Sequence, residues 1–232
     1  KSLTVFVEKP ILKKSQKQAK ILKPGVHDFS IILEENSALI FKTGFHQIRN
    51  IILNNNVDVF FEDGAYLECI NPSKDKEKPI LDPDWAGMTR FAPVISGKNC
   101  KNISISGRGI IDLSKIEFHG RSGINLENCK NISLNDFMLN NCPEWSLTVA
   151  CCENIKVSNM KIFGYRQNSD AFAFVDSHKC YINNCFARSG DDLFEVGNET
   201  NALVFYNFTF LIVKFRYFSF DSIFHFNSKL IV

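Results

Sequence analysis

Two short acidic motifs hold the residues most able to do chemistry in this chain: Asn168-Ser169-Asp170 and Gly190-Asp191-Asp192, with 22 residues from Asp170 to Asp192. If that interval equals the repeat of a coiled chain, the carboxylates stack on one face. Like charges so close cannot all ionise at their ordinary pKa, so at least one is expected to keep its proton near neutrality. A donor and a base built from one residue type is what acid/base cleavage of a glycosidic bond requires.

The repeat is written in the middle of the chain. Asn128-Cys129-Lys130-Asn131-Ile132-Ser133-Leu134 nearly restates Asn99-Cys100-Lys101-Asn102-Ile103-Ser104-Ile105, and Cys151-Cys152-Glu153-Asn154-Ile155-Lys156-Val157 is a third copy. Asp176-Ser177-His178-Lys179-Cys180-Tyr181-Ile182 is a more diverged fourth. Ile103, Ile132, Ile155 and Cys180 are then equivalent, at steps of 29, 23 and 25 residues, a repeat architecture.

Each copy contains three apolar alternations spaced by two, the period at which side chains return to one face of a strand. Ile124/Leu126, Leu147/Val149, Phe172/Phe174 and Phe194/Val196 make the first ladder. Ile103/Ile105, Ile132/Leu134, Ile155/Val157 and Cys180/Ile182 make the second, and Phe137/Leu139, Met160/Ile162 and Cys185/Ala187 the third. Three strands per turn, each too short to bury its face alone, are satisfied by coiling so that each rung lies parallel on its neighbour. The expected fold is all-β, a right-handed parallel β-helix. Asn102, Asn131 and Asn154 suit the left-handed backbone of tight corners. The dense leucine spacing of a leucine-rich repeat is missing.

Stacking Phe172 under Phe194 puts Asp170 below Asp192 and Ser169 below Asp191, at a rung spacing of about 4.8 Å. Strict alternation would drive both aspartates inward with the phenylalanines. Because an unpaired buried carboxylate is costly, the strands are expected to bend just before Phe172 and Phe194.

The 232 residues suffice for one β-helix domain over 1–200, with a lead-in of strands over about 1–70 and a projecting loop at 71–92 that carries Trp85, a candidate sugar platform. Expected lead-in strands are Leu3 to Val7, Ile31 to Leu33, Ala38 to Phe41, Ile51 to Leu53 and Val57 to Phe61. Residues 201–232 differ, holding 8 of the 22 phenylalanines and a single acid, Asp221; a truncated or non-native continuation of the coil is expected there. A formal net charge of +2 without a basic stripe argues against nucleic acid, and no apolar run is long enough for a membrane span. Cys129, Cys152, Cys180 and Cys185 read as compact rung residues, with disulfides left open. A monomer is expected.

Together with Asn141-Cys142-Pro143-Glu144-Trp145 and Gly107-Arg108-Gly109-Ile110-Ile111-Asp112, the two acidic motifs make the chain resemble the polygalacturonase-type glycoside hydrolases of family 28 over roughly residues 50 to 200. The resemblance implies an inverting hydrolase of pectin-like polysaccharides or oligosaccharides, extracellular or periplasmic, needing no cofactor or metal. It makes Asp191 the general acid and Asp170 and Asp192 the activators of water, with Asn168 and Gly190 at the substrate. Arg166 and Arg188, each a few residues before an acidic motif, could contact an acidic sugar or could equally be surface charges. The chain departs from the family at Ala171, where a glycine is usual and would ease the bend. The family's Gly-His-Gly and Arg-x-Lys are also missing; the expected histidine region reads Phe210 to Phe215, and the nearest histidine is His225. Two other readings stay open: a calcium-dependent lyase with the aspartates as ligands, and an inactive glycan-binding or scaffold β-helix.

Overall fold

The computed structural model describes residues 17–71, 78–81, 89–197, 200–211, 215–217 and 225–231, with the backbone alone described for the strands from residue 201 on. Twenty-two strands join one continuous ladder whose pairings are parallel, the right-handed parallel β-helix that the three-strand repeat implies. Leu3–Val7, Trp85 and most of the 71–92 loop lie outside the described residues; from that loop, Ile80–Leu81 pairs antiparallel with Thr89–Arg90. Among the described residues, no helix is long and apolar enough to cross a membrane.

The three expected ladders are the three faces. On the first, Ile124–Glu127, Leu147–Ala150, Phe172–Val175 and Phe194–Val196 stack with Ile124 on Leu147, Leu147 on Phe172 and Phe172 on Phe194. On the second, Ile103 lies on Ile132, Ile132 on Ile155 and Ile155 on Cys180. On the third, Leu139 lies on Ile162 and Ile162 on Ala187. These inward residues are essentially without solvent contact. The rings of Phe172 and Phe194 stack at 5.5 Å, as do those of Phe41 and Phe61.

The lead-in strands are themselves coils of the same helix. Gln18–Leu22 pairs with Ser37–Phe41, which pairs with Val57–Phe61, which lies directly under Lys101–Gly107. Gly44–Ile52 is long because it serves two faces, pairing with Ala65–Cys69 through its first half and with Ile95 and Ser96 through its end. At the other end the backbone carries the pairing past the point where the sequence pattern fades: Asn201–Leu211 lies parallel on His178–Asn183 and on Phe186–Arg188.

Corners are built from asparagine. Asn102, Asn131 and Asn154 have φ of 58°, 59° and 60°, the left-handed region that asparagine tolerates better than most residues because its short amide bonds locally. Their side chains form a ladder of their own: Asn154 Nδ2 donates to Asn131 Oδ1 at 2.8 Å, Asn131 to Asn102 at 2.9 Å, and Asn102 to Asn56 at 2.6 Å. A second ladder runs from Asn184 to Asn159 to Asp136, again all at positive φ.

All eight cysteines are free thiols, and only Cys151 is exposed. Cys100, Cys129 and Cys152 occupy one corner column, the amide of each lower rung donating to the side chain above: Cys100 N to Cys129 Sγ at 3.4 Å and Cys129 N to Cys152 Sγ at 3.2 Å. Ser177 and Thr200 continue the column with hydroxyls. What the position needs is a small side chain with an acceptor.

Candidate active site

The loops leading into the first face differ in length on consecutive rungs, and that difference shapes the site. In the upper rung, residues 189–193 connect Phe186–Arg188 to Phe194–Val196; in the lower, residues 164–171 connect Lys161–Phe163 to Phe172–Val175. The lower loop is three residues longer. It turns at Asn168, whose φ is 62°, before the chain enters the strand.

Asn168 therefore supplies the left-handed residue at which a bend is made. Ala171 does not lie in the left-handed region, and its amide donates to Asp192 O at 2.9 Å. The alanine is no obstacle, which corrects the expectation that the missing glycine makes the bend harder.

Ser169 joins the two loops. Its Oγ donates to Arg166 O at 2.6 Å and accepts from Gly190 N at 3.2 Å, while Ser189 Oγ donates to Ser169 O at 2.6 Å. Gly190 rests so closely on the lower loop that a β-carbon there would sit 2.0 Å from Arg166 O. Only glycine fits, because that obstacle is backbone and cannot swing away.

On this platform Asp170, Asp191 and Asp192 converge, each offering one carboxylate oxygen within 4.8 Å of the others. Asp170 and Asp192 are buried and Asp191 is half-buried, so Asp191 faces the solvent side of the cluster. The Asp192 amide donates to Asp170 Oδ1 at 2.8 Å. Burial, then the charges of Asp191 and Asp192, lift the Asp170 carboxyl to about 7, against an opposing pull from that amide. One acid of the trio thus holds a proton near neutrality, as the motif spacing implies, and it is the deep one of the lower rung. The nearest oxygens are tighter than the wide carboxyl separation expected of an inverting pair, about 6.5–9.5 Å. Three converging carboxylate oxygens are also a donor set that a divalent cation accepts.

The other expected site residues sit around this cluster. Asn168 is half-buried, with Nδ2 3.5 Å from Nε2 of the buried His119. Arg166 is committed elsewhere: its Nη1 donates to Ile116 O at 2.5 Å and its Nη2 to Ser114 O at 2.7 Å, tying down the 114–116 loop. Arg188 lies over the ring of Tyr165, 4.8 Å from its centroid. Two aromatic residues also lie near the cluster, Trp145, named in the sequence only as part of a motif, and Tyr165, which was not named at all. Register places Trp145 one rung below Asp170, since Leu147 pairs with Phe172 and Ser146 N donates to Asp170 O; the sequence signal was the Pro-x-Trp stretch. Tyr165 left no signal, because an exposed residue has no periodicity to betray it.

The molecule is thus a parallel β-helix with aspartates from consecutive rungs gathered at one corner. The sequence pattern of glycosyl hydrolases family 28 matches residues 83–212, more than half of the chain, and the chain belongs to that family. It is 28% identical over 151 residues to a polygalacturonase of Chamaecyparis obtusa, covering 60% of this chain and 28% of that protein. To a polygalacturonase of Juniperus ashei it is 26% identical over 157 residues, covering 65% and 31%. The chain thus spans less than a third of the length of these curated relatives. The solved structure of a polygalacturonase from Erwinia carotovora superposes with a TM-score of 0.66 at 16% identity, over 76% of this chain and 56% of that one, a likeness of fold.

Proposed function

We propose that this chain is the acid-bearing part of an extracellular or periplasmic hydrolase that cleaves galacturonan-type polysaccharides at the Asp170, Asp191 and Asp192 cluster. The observation that carries the reading is the meeting of these three carboxylates across two rungs, on a chain whose family is glycosyl hydrolases 28.

In this mechanism Asp191, the acid turned toward solvent, gives its proton to the glycosidic oxygen as the bond to the anomeric carbon breaks. The bonding pair leaves with that oxygen. Water attacks the anomeric carbon from the opposite side, and its proton passes to the carboxylates of Asp170 and Asp192. The proton taken from water has a short path back to Asp191 between turnovers, because each of the three carboxylates offers an oxygen within 4.8 Å of the others. Asn168 and Gly190 border the cluster on its two loops, where they would meet a bound sugar. The steps need no metal, which separates this reading from a lyase.

Inversion is the family expectation, and the close approach of the carboxylates makes it the step to test first. Proton NMR of the first product settles the outcome. The β-anomer from an α-linked galacturonan supports water attack without an intermediate; the α-anomer would replace it with a covalent one.

A further inference from the structure

Tyr165 stands on the longer lower loop with 54% of its surface exposed, three residues before Asn168. Its ring has an apolar backing, Phe163 at 6.4 Å and 20° from parallel, and Phe163 in turn lies 5.1 Å from the buried Phe186. Arg188 belongs to the next rung, directly above Phe163, and its guanidinium covers the Tyr165 ring. Two contacts lock these segments together: Gly164 N donates to Arg188 O at 2.6 Å, and Gly190 packs on Arg166 O. The pair is fixed in place before any ligand arrives.

Asp191 is three positions after Arg188, a Cα span of at most about 11 Å. A mobile cation that near three carboxylates would fold onto them. Here the guanidinium carbon lies over an aromatic ring instead, 4.8 Å from its centroid, and among the described residues no ion pair of Arg188 with a carboxylate is found. A guanidinium over a ring can use its face for the aromatic contact and still offer the planar fork of N–H donors that matches a carboxylate bidentately. Arg166, the other arginine flanking the acids, has both Nη atoms engaged by carbonyls. An acid cluster repels a polyanionic substrate, and Arg188 is placed to offset that repulsion at the corner where the chain must enter.

We propose that Tyr165 and Arg188 form a uronate-recognition subsite at the rim of the acid cluster, the tyrosine stacking on the apolar face of a pyranose and the arginine holding its C5 carboxylate. The proposal rests on the hydrolase reading for the location of the sugar, and it adds selectivity for free acid over ester. Methyl esterification removes the charge and one acceptor while leaving the ring unchanged, so it isolates the arginine.

The test is calorimetric titration of the full chain, carrying Asp191→Asn to prevent turnover, with trigalacturonate and with its methyl ester. The expected result is at least about tenfold tighter binding of the acid, the difference a charged hydrogen bond makes. Adding Arg188→Gln is expected to abolish that ratio with ester binding unchanged, and adding Tyr165→Ala to weaken both ligands alike. Unchanged melting temperatures show that these surface substitutions leave the fold intact. An acid-to-ester ratio that survives Arg188→Gln overturns the subsite, as does binding of neither ligand. If the wild-type chain releases no reducing ends from polygalacturonate, yet the ratio depends on Arg188, the hydrolase reading fails and the subsite stands.

Discussion

The main-chain N–H of Asp192 donates to Oδ1 of Asp170 across 2.8 Å, from one rung to the next. The same carboxyl that closes this link carries a pKa lifted to about 7 by its burial. Structure and chemistry therefore compete at Asp170: ionising it serves the base, and ionising it in a buried position costs stability.

That competition has a sign. An acid whose pKa is raised on folding holds its proton more tightly in the native state, so its contribution to stability is complete below the unfolded value of 3.8 and is lost as pH rises through about 7. The loss is on the order of 2–4 kcal/mol. Asp170→Asn keeps the Oδ1 acceptor and cannot ionise, so it is expected to melt higher than wild type at pH 8 and about equally at pH 4. Denaturant unfolding at the two pH values checks this. An equal difference at both would remove the raised carboxyl from the account.

The pH dependence of turnover follows from the same group. Asp170 must be ionised to take the proton of water, so kcat/KM is expected to rise as pH rises through about 7. Rates on polygalacturonate from pH 4 to 9 test it; a rate already on its plateau at pH 5 would contradict a base with a raised pKa.

A third prediction concerns the corner ladder. Asn131 has φ of 59° and bonds to both Asn102 and Asn154. Asn131→Ala keeps the strained backbone and loses both amide links, for an expected cost of about 2–3 kcal/mol. Asn131→Gly relieves the strain and is expected to cost about 1 kcal/mol less than the alanine. Urea melts of the two variants separate backbone conformation from ladder bonding; alanine proving the milder change would show that the left-handed corner is not under strain.

How much of this was legible in the sequence depended on where the repeat was regular. The register of Ile103, Ile132, Ile155 and Cys180, and of Phe172 under Phe194, follows from alternation and interval alone, and both fix the neighbourhood of Asp170 and Asp192. The first coils were harder to read because Gly44–Ile52 bends across two faces with no Asn corner between them, so its period is not that of one strand. Ala65–Cys69 went unrecognised behind its turn.

At the site, residue type and spacing gave the cluster but not its internal order. Which carboxyl keeps the proton depends on burial and on neighbouring charges, and Asp170 is buried where Asp191 is half-buried. The fate of the arginines was illegible for a related reason. Arg166 is captured by carbonyls about 50 residues earlier, a contact that exists only once the coils are stacked.

The central claim is that these three aspartates hydrolyse a galacturonan, and release of reducing ends from polygalacturonate in the presence of a chelator tests it most directly. Wild-type chain is expected to release them without a rise in ultraviolet absorbance, and Asp191→Asn to lower kcat at least about 100-fold with KM nearly unchanged. No release by the wild type, equal release by Asp191→Asn, or an ultraviolet-absorbing product that the chelator abolishes would contradict it.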